Sequence, residues 1–298
     1  MAIGGGRSRA NPIDTISAAQ PFSLYLRRLP AAGRPCYAAR MSLRLDRQPG
    51  HAVLTLAAPP RNLLEPSLLE ALLAALAALA GGGAPPILLR AEGRHFSTGY
   101  PIAAIPEAIF HADPELRASA LFERALAALW DYPAPVVAAI QGDAWGGAVE
   151  LLCCADLRLA VSEARFAVPA LRLGLIYSPS GIRRLQAAFG APLTRELLLT
   201  GEPIGARRAL RAGFLCRLVA PERLAATSAA LMASLLEAAP AALRGTRRSL
   251  RLLEGAEPLA PALLAEIAAW RHAAWRSEDF REAQLAFLEK RPPRWRDC

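Results

Sequence analysis

Residues 135–151 read PVVAAIQGDAWGGAVEL, and their reading decides the fold. The apolar run Pro135–Gly142 predicts a buried strand. Gly142 opens a glycine turn, and a helix is expected from about Trp145 to Cys154. A second stretch repeats this logic upstream: the strand Pro86–Ala91 runs into a loop with Gly93 and Gly99, and His95-Phe96-Ser97-Thr98-Gly99-Tyr100-Pro101-Ile102 leads toward another helix start. Pro101 suits a first helical position, where a missing N–H costs nothing. Turns of this kind leave backbone N–H groups unpaired and pointing outward. Two of them meeting at one point make an oxyanion hole. Alone, each is more often an ordinary turn. The pair, in this order and about 47 residues apart, is far more specific.

Outward from these loops the pattern is orderly. His51–Leu56 predicts a strand, Pro66–Ala80 a helix with a wide apolar face, Pro114–Trp130 an amphipathic helix and Asp156–Ser162 a further strand. From about Ser178 helices dominate, apart from the strand-like Phe214–Val219. Strands alternating with helices indicate an α/β fold. Residues 1–40 mix Gly, Pro, Ser and Arg without periodicity, and read as an extension ahead of a domain that starts at Met41, itself a candidate start of translation. Residues 41–220 are expected to form the core. The helical end, 221–298, reads as a packing layer or oligomerisation arm.

The charge of +9 invites a nucleic-acid reading, but its distribution argues against one. Six arginines against Asp14 in residues 1–40 supply +5 of it, and the later arginines alternate with acids along helix-like segments. That pattern predicts a solvated, mildly basic surface. Five cysteines without a C-x-x-C pair or a His at zinc-ligand spacing predict free thiols and no metal site. Cys153 and Cys154 are expected in buried packing. The most apolar stretch, Leu68–Ala80, holds Glu70 and falls short of the ~20 residues that span a bilayer. A cytoplasmic protein, without membrane or nucleic acid as partner, is the default expectation.

The two loops, with Leu199-Thr200-Gly201-Glu202-Pro203-Ile204 and Ala209-Leu210-Arg211-Ala212-Gly213, resemble the crotonase (enoyl-CoA hydratase/isomerase) superfamily from about Met41 to the C-terminus. The resemblance implies a ClpP/crotonase-like spiral of repeated ββα units with a C-terminal helical region, assembled as a homotrimer or hexamer through helices beyond about residue 221. It implies that the backbone N–H groups of Tyr100 and Gly147 grip a thioester oxygen, with Thr98, Gly99, Pro101 and Ile102 along the CoA path and Lys290 near the CoA phosphates. The substrate would be an acyl-CoA, whose polyanionic carrier a basic surface attracts. No cofactor beyond that CoA is implied.

Hydration in this family uses two glutamates that hold a water between them. Glu150 matches the first, but Ala170 stands at the position of the second, in Phe166-Ala167-Val168-Pro169-Ala170-Leu171-Arg172-Leu173-Gly174. Trp145-Gly146-Gly147-Ala148, the Gly174-x-x-Tyr177 spacing, Ser277-Glu278-Asp279-Phe280 and the segment Ala286 to Arg291 resemble the methylmalonyl-CoA decarboxylase branch. That resemblance implies decarboxylation, with Tyr177 orienting the carboxylate and the oxyanion hole holding the enolate. The chain departs from the branch at Tyr100, where His is usual, at Pro101 for Asp, and at Pro169 for Thr. A hydratase or isomerase using Glu150 alone, and a non-catalytic acyl-CoA binder, stay open beside it. From the residues alone, Glu150 reads equally as a first-turn charge satisfying the helix dipole, Tyr177 as a buried aromatic, Lys290 as a solvated helix charge and His95 as a structural or rim residue.

Overall fold

The computed structural model describes residues 42–101, 114–254, 261–291 and 294. The proposed extension, Met41, Ile102, His111, Cys36 and Cys298 lie outside them.

Strand β1 (Leu43–Gln48) turns at Gly50, whose φ is 78°, and pairs antiparallel with β2 (His51–Leu56). From β2 the sheet grows by parallel pairing through β3 (Ile87–Ala91), β4 (Val136–Ile140), β6 (Leu157–Val161) and β9 (Arg217–Val219), in the order β1-β2-β3-β4-β6-β9. All five residues of β4 are buried, as the unbroken apolar run requires of a central parallel strand.

A second, three-stranded sheet is built from β5 (Ala144–Trp145), β7 (Arg165–Ala167) and β8 (Ile204–Gly205). The chain repeatedly lays one strand in the large sheet, one in the small sheet, and then a helix. So β4 and β5 precede α3 (Gly147–Cys153), and β6 and β7 precede a 3-10 turn (Ala170–Leu173) and α4 (Pro179–Thr200). This is the spiral of repeated units that the resemblance implies. Helices α1 (Pro66–Gly81) and α2 (Pro114–Trp130) come earlier and pack on each other. α4 is broken at Gly190, which takes φ 71°, ψ 160° two residues before Pro192. A short α5 (Ala206–Arg211) links β8 to β9.

The helix expected from Trp145 starts two residues later, and Ala144 and Trp145 are strand instead. The reason is local: Trp145 N–H is taken by Ser97 C=O at 3.1 Å and Gly146 N–H by Ala167 C=O at 2.8 Å. Gly146 then reverses the chain at φ 55°, ψ −123°, a conformation open to glycine. Short strands of two or three residues carry no readable periodicity.

Beyond residue 221 come α6 (Leu224–Leu236), α7 (Pro240–Glu254), α8 (Pro261–Arg276) and α9 (Glu278–Glu289). α6 packs on β4 and β6, and α9 packs on the 3-10 turn, with Phe280 buried against Gly174. α7 is fixed by two arginines. Arg247 Nε and Arg251 Nη2 donate to the two oxygens of Asp156, at 2.8 and 2.9 Å. Arg247 also donates to the carbonyls of Tyr132 and Trp130, and Arg251 lies 3.7 Å over the Trp130 ring. Here the sequence reading needs correction. Periodic arginines do not all face water: Arg184 and Arg247 are buried, because carboxylates and carbonyls distant in sequence meet their guanidinium groups.

Candidate active site

The two glycine loops meet. Phe96 N–H donates to Asp143 C=O at 2.9 Å, and Ser97 forms a parallel bridge with Ala144. Asn62 pins the first loop from behind. Its Nδ2 lies 2.7, 3.0 and 3.1 Å from the carbonyls of Glu92, His95 and Phe96, and its Oδ1 accepts from Ala58 N–H. Gly99, at φ 83°, donates to Ser97 Oγ. A β-carbon there would stand 2.4 Å from Trp145 O and 3.2 Å from Gly147 N, so only glycine lets the loops approach this closely.

Just beyond these contacts, the N–H groups of Tyr100 and Gly147 have no acceptor among the described residues. Gly147 is the first residue of α3, where an intrahelical acceptor is lacking by construction. Two adjacent loops that each present one unused N–H can together hold one developing negative oxygen. The Phe122 ring of α2 closes over them. It lies 3.0 Å from where a β-carbon on Gly147 would be, and meets the Tyr100 ring edge-on at 5.9 Å.

Glu150 stands one turn into α3 and is only 1% exposed. It is no solvated first-turn charge: its Oε1 accepts from Arg184 Nη1 at 2.7 Å, and the same Nη1 donates to Glu123 Oε2 at 2.9 Å. Glu123 Oε1 accepts from Ser178 Oγ at 2.7 Å, and Ser178 caps α4 by accepting from Gly181 N–H. Burial, with the Glu123 charge adding to it, pushes Glu150 up to about 7, despite Arg184 and Tyr177. Against the upward pull of its own burial, hydrogen bonds from Ser178 and Arg184 hold Glu123 below the usual carboxylate value. Arg184 is raised despite its burial by the groups around it, Cys154, Glu150 and Glu123.

Tyr177 leads into α4 and its hydroxyl interacts with the Glu150 carboxylate. Its ring packs on Gly181, where a β-carbon would be 2.7 Å from two ring carbons and 3.0 Å from Glu150 Oε2. Burial and the Glu150 charge raise the Tyr177 hydroxyl well above its ordinary value, so it stays a neutral donor. Ala170 is buried at the head of the 3-10 turn and brings no carboxylate.

The structure thus brings together Tyr100, Gly147, Glu150 and Tyr177, with Gly99 beneath them. Thr98 lies in the same loop, its N–H donating to Arg61 C=O and its buried Oγ1 without a partner among the described residues. Pro101 borders the undescribed 102–113, so the helix start expected there, like Ile102, falls outside the description. Lys290 ends α9 in a left-handed conformation, φ 56°. His95 is half-buried with Nδ1 4.0 Å from Asp143, and burial lowers its pKa. Cys153 and Cys154 are buried, and burial raises both thiols. Among the described residues, no three His, Cys, Asp or Glu side chains converge as metal ligands would.

Four contributors escaped the sequence reading: Asn62, Phe122, Glu123 and Arg184. Apart from the bond Asn62 accepts from Ala58, their partners lie between 22 and 61 positions away, beyond any local pattern.

Comparison with known proteins agrees with this architecture. The sequence profile of the enoyl-CoA hydratase/isomerase family matches residues 46–298. The methylmalonyl-CoA decarboxylase of Escherichia coli K12 is 32% identical over 213 residues, covering 70% of this chain and 79% of that protein. A probable enoyl-CoA hydratase of Bacillus subtilis 168 is 34% identical over 251 residues, covering 82% and 95%. The solved structure of a methylmalonyl-CoA decarboxylase in complex with 2-nitronate-propionyl-CoA superposes with a TM-score of 0.81 at 28% identity, covering 87% of this chain and all of the other.

Proposed function

The chain belongs to the enoyl-CoA hydratase/isomerase (crotonase) family, and from that premise we propose that it is an acyl-CoA enzyme that decarboxylates a malonyl-type thioester, methylmalonyl-CoA or a close analogue. The observation that carries this reading is the pairing of two N–H groups without an acceptor among the described residues, on Tyr100 and Gly147, with an Ala170 position that supplies no second carboxylate for water activation.

The thioester oxygen sits between the two N–H groups. The bond from Cα to the carboxylate breaks, CO₂ leaves, and the electron pair moves through Cα to that oxygen, giving the enolate. The N–H groups stabilise a charge that exists fully only after bond cleavage, so they favour the transition state over the bound substrate. Tyr177, a neutral donor, orients the departing carboxylate. A proton then returns to Cα. Glu150, raised to about 7, is protonated in a substantial part of the molecules at neutral pH and is the acid placed one helical turn from Gly147. This chemistry calls for no cofactor beyond the CoA of the substrate. Lys290 is assigned to the CoA phosphates on the same family premise.

A second reading has support of its own. A carboxylate near neutrality suits acid–base work on an enoyl-CoA, and the Bacillus subtilis relative is named a probable hydratase. The assembly we propose is a homotrimer or a pair of trimers, with the helices beyond residue 221 in the contacts; light scattering of the purified chain tests it.

The deciding experiment is to incubate the EDTA-treated protein with methylmalonyl-CoA and follow acyl-CoA species by mass spectrometry. Propionyl-CoA should appear, at a rate at least ~10-fold lower for Tyr177→Phe. Intact methylmalonyl-CoA beside turnover of crotonyl-CoA that vanishes in Glu150→Gln would replace this reading with the second. Saturable CoA binding without turnover of either thioester would leave a non-catalytic binder.

A further inference from the structure

A simple buried ion pair needs one acid and one base, but three charged groups meet here. Glu150 comes from α3, Glu123 from α2 and Arg184 from α4, and a single nitrogen, Arg184 Nη1, donates to both carboxylates at 2.7 and 2.9 Å. With both acids ionised the cluster carries a net negative charge, on a buried Glu150 and a partly exposed Glu123, which one proton would relieve. The acids are not equivalent. Glu123 has Ser178 Oγ on its second oxygen, and Ser180 Oγ lies 3.1 Å from Ser178 Oγ. The second oxygen of Glu150 faces Tyr177 and the bare backbone of Gly181.

Among the described residues, the titratable and charged groups around Glu150 are Glu123 on α2, Arg184 on α4, Tyr177 on the segment leading into α4, and Cys153 and Cys154 at the end of α3. Burial keeps both thiols and the tyrosine neutral. The charges that act on Glu150 are therefore Glu123 and Arg184, of opposite sign.

We propose that Glu123 and Arg184 are positioning residues: Arg184 aims the Glu150 carboxylate toward the oxyanion loops, and Glu123, by holding the same guanidinium nitrogen, stops Arg184 from neutralising it, so that Glu150 can take up and release a proton in the site. This deepens the proposed function and rests on it only in placing Glu150 beside the substrate.

A mere staple between α2 and α4 would lower stability when cut at either end and would not move Glu150 in opposite directions. The tuning arrangement must. The test is the pH titration of the Glu150 carboxyl in the full chain by carbon NMR with labelled glutamate, its signal assigned by its loss in Glu150→Gln. Glu123→Gln removes the like charge and frees Arg184, so the midpoint falls by about one pH unit; Arg184→Gln leaves the like charge alone, so it rises by at least as much. Arg184→Lys keeps the charge and should restore a midpoint close to the original. Midpoints that stay put, or move together, overturn the proposal. If the arginine variants do not fold, an unchanged midpoint in folded Glu123→Gln overturns it and a lowered one sustains it. Divergent midpoints in a protein that turns over no thioester would keep this assignment and remove the proposed function. Turnover of methylmalonyl-CoA with immobile midpoints would do the reverse.

Discussion

Replacing Gly181 with alanine displaces the Tyr177 ring and crowds the Glu150 carboxylate beside it. The added methyl would lie 2.7 Å from Cδ1 and Cε1 of the Tyr177 ring and 3.0 Å from Glu150 Oε2. Carbon atoms settle at about 3.5–4.0 Å, so the ring must retreat by about 1 Å. A displacement of about 1 Å in a positioned group costs on the order of 10²-fold in rate. Stability should change little. Gly181 lies in the first turn of α4 without a positive φ, and alanine there gains roughly 0.5–1 kcal/mol over glycine, offsetting the displaced ring. The assay is kcat/KM for propionyl-CoA formation, followed by mass spectrometry, beside a thermal melt of the same preparation. The expected result is a loss of about 10²-fold with Tm shifted by no more than about 4 °C. A variant whose crystal structure shows the ring displaced, yet whose kcat/KM stays within about threefold of the parent, would refute the role given to Tyr177.

Two further outcomes follow from the electrostatics. The folded-state value of Glu150, about 7, lies above its ordinary value of 4.5, so the folded chain holds a proton that the unfolded chain has released between those values. Its contribution is fully present below the unfolded value and is lost as pH rises through about 7, by at most about 3 kcal/mol. Glu150→Gln lacks that slope, so its Tm should gain on the parent between pH 5 and pH 8; a constant difference would contradict the raised value. Asp156→Ala removes the partner of Arg247 and Arg251, and leaving the buried Arg247 uncompensated should cost about 3–5 kcal/mol in urea unfolding. A loss below about 1 kcal/mol would show that α7 is held by its apolar contacts instead.

The fold was legible because its central strands are unbroken apolar runs and its long helices are bounded by prolines. Pro66 and Pro114 each open a helix where the periodicity expects one, and β4 falls within the predicted run. The meeting of the two glycine loops was legible through glycines that have no substitute: Gly99 and Gly146 both take positive φ, and Gly99 has backbone where a side chain would go. The tuning of Glu150 was not legible. Glu123 sits in an amphipathic helix among Arg124 and alanines, and Arg184 follows Arg183, so each resembles a solvated helix charge. Only folding brings α2 against the start of α4, 61 positions apart, and turns two surface-like residues into an ion pair with Arg184 buried and Glu123 partly exposed. The small sheet was missed for a different reason. A strand of two residues, such as β5, is defined by its neighbours' hydrogen bonds and by nothing in its own composition.

The bridge between Ser97 and Ala144 makes the two donor loops mechanically one object. Phe96 N–H, Ser97 C=O and Trp145 N–H form a rung of ladder between them, so neither loop can breathe without carrying the other. The bonds fix the spacing of the loops, and with it the gap between the N–H groups of Tyr100 and Gly147. An engineer who wishes to change loop length is thereby told what to keep. The count of residues from the bridge to each N–H, three from Ser97 and three from Ala144, must stay as it is.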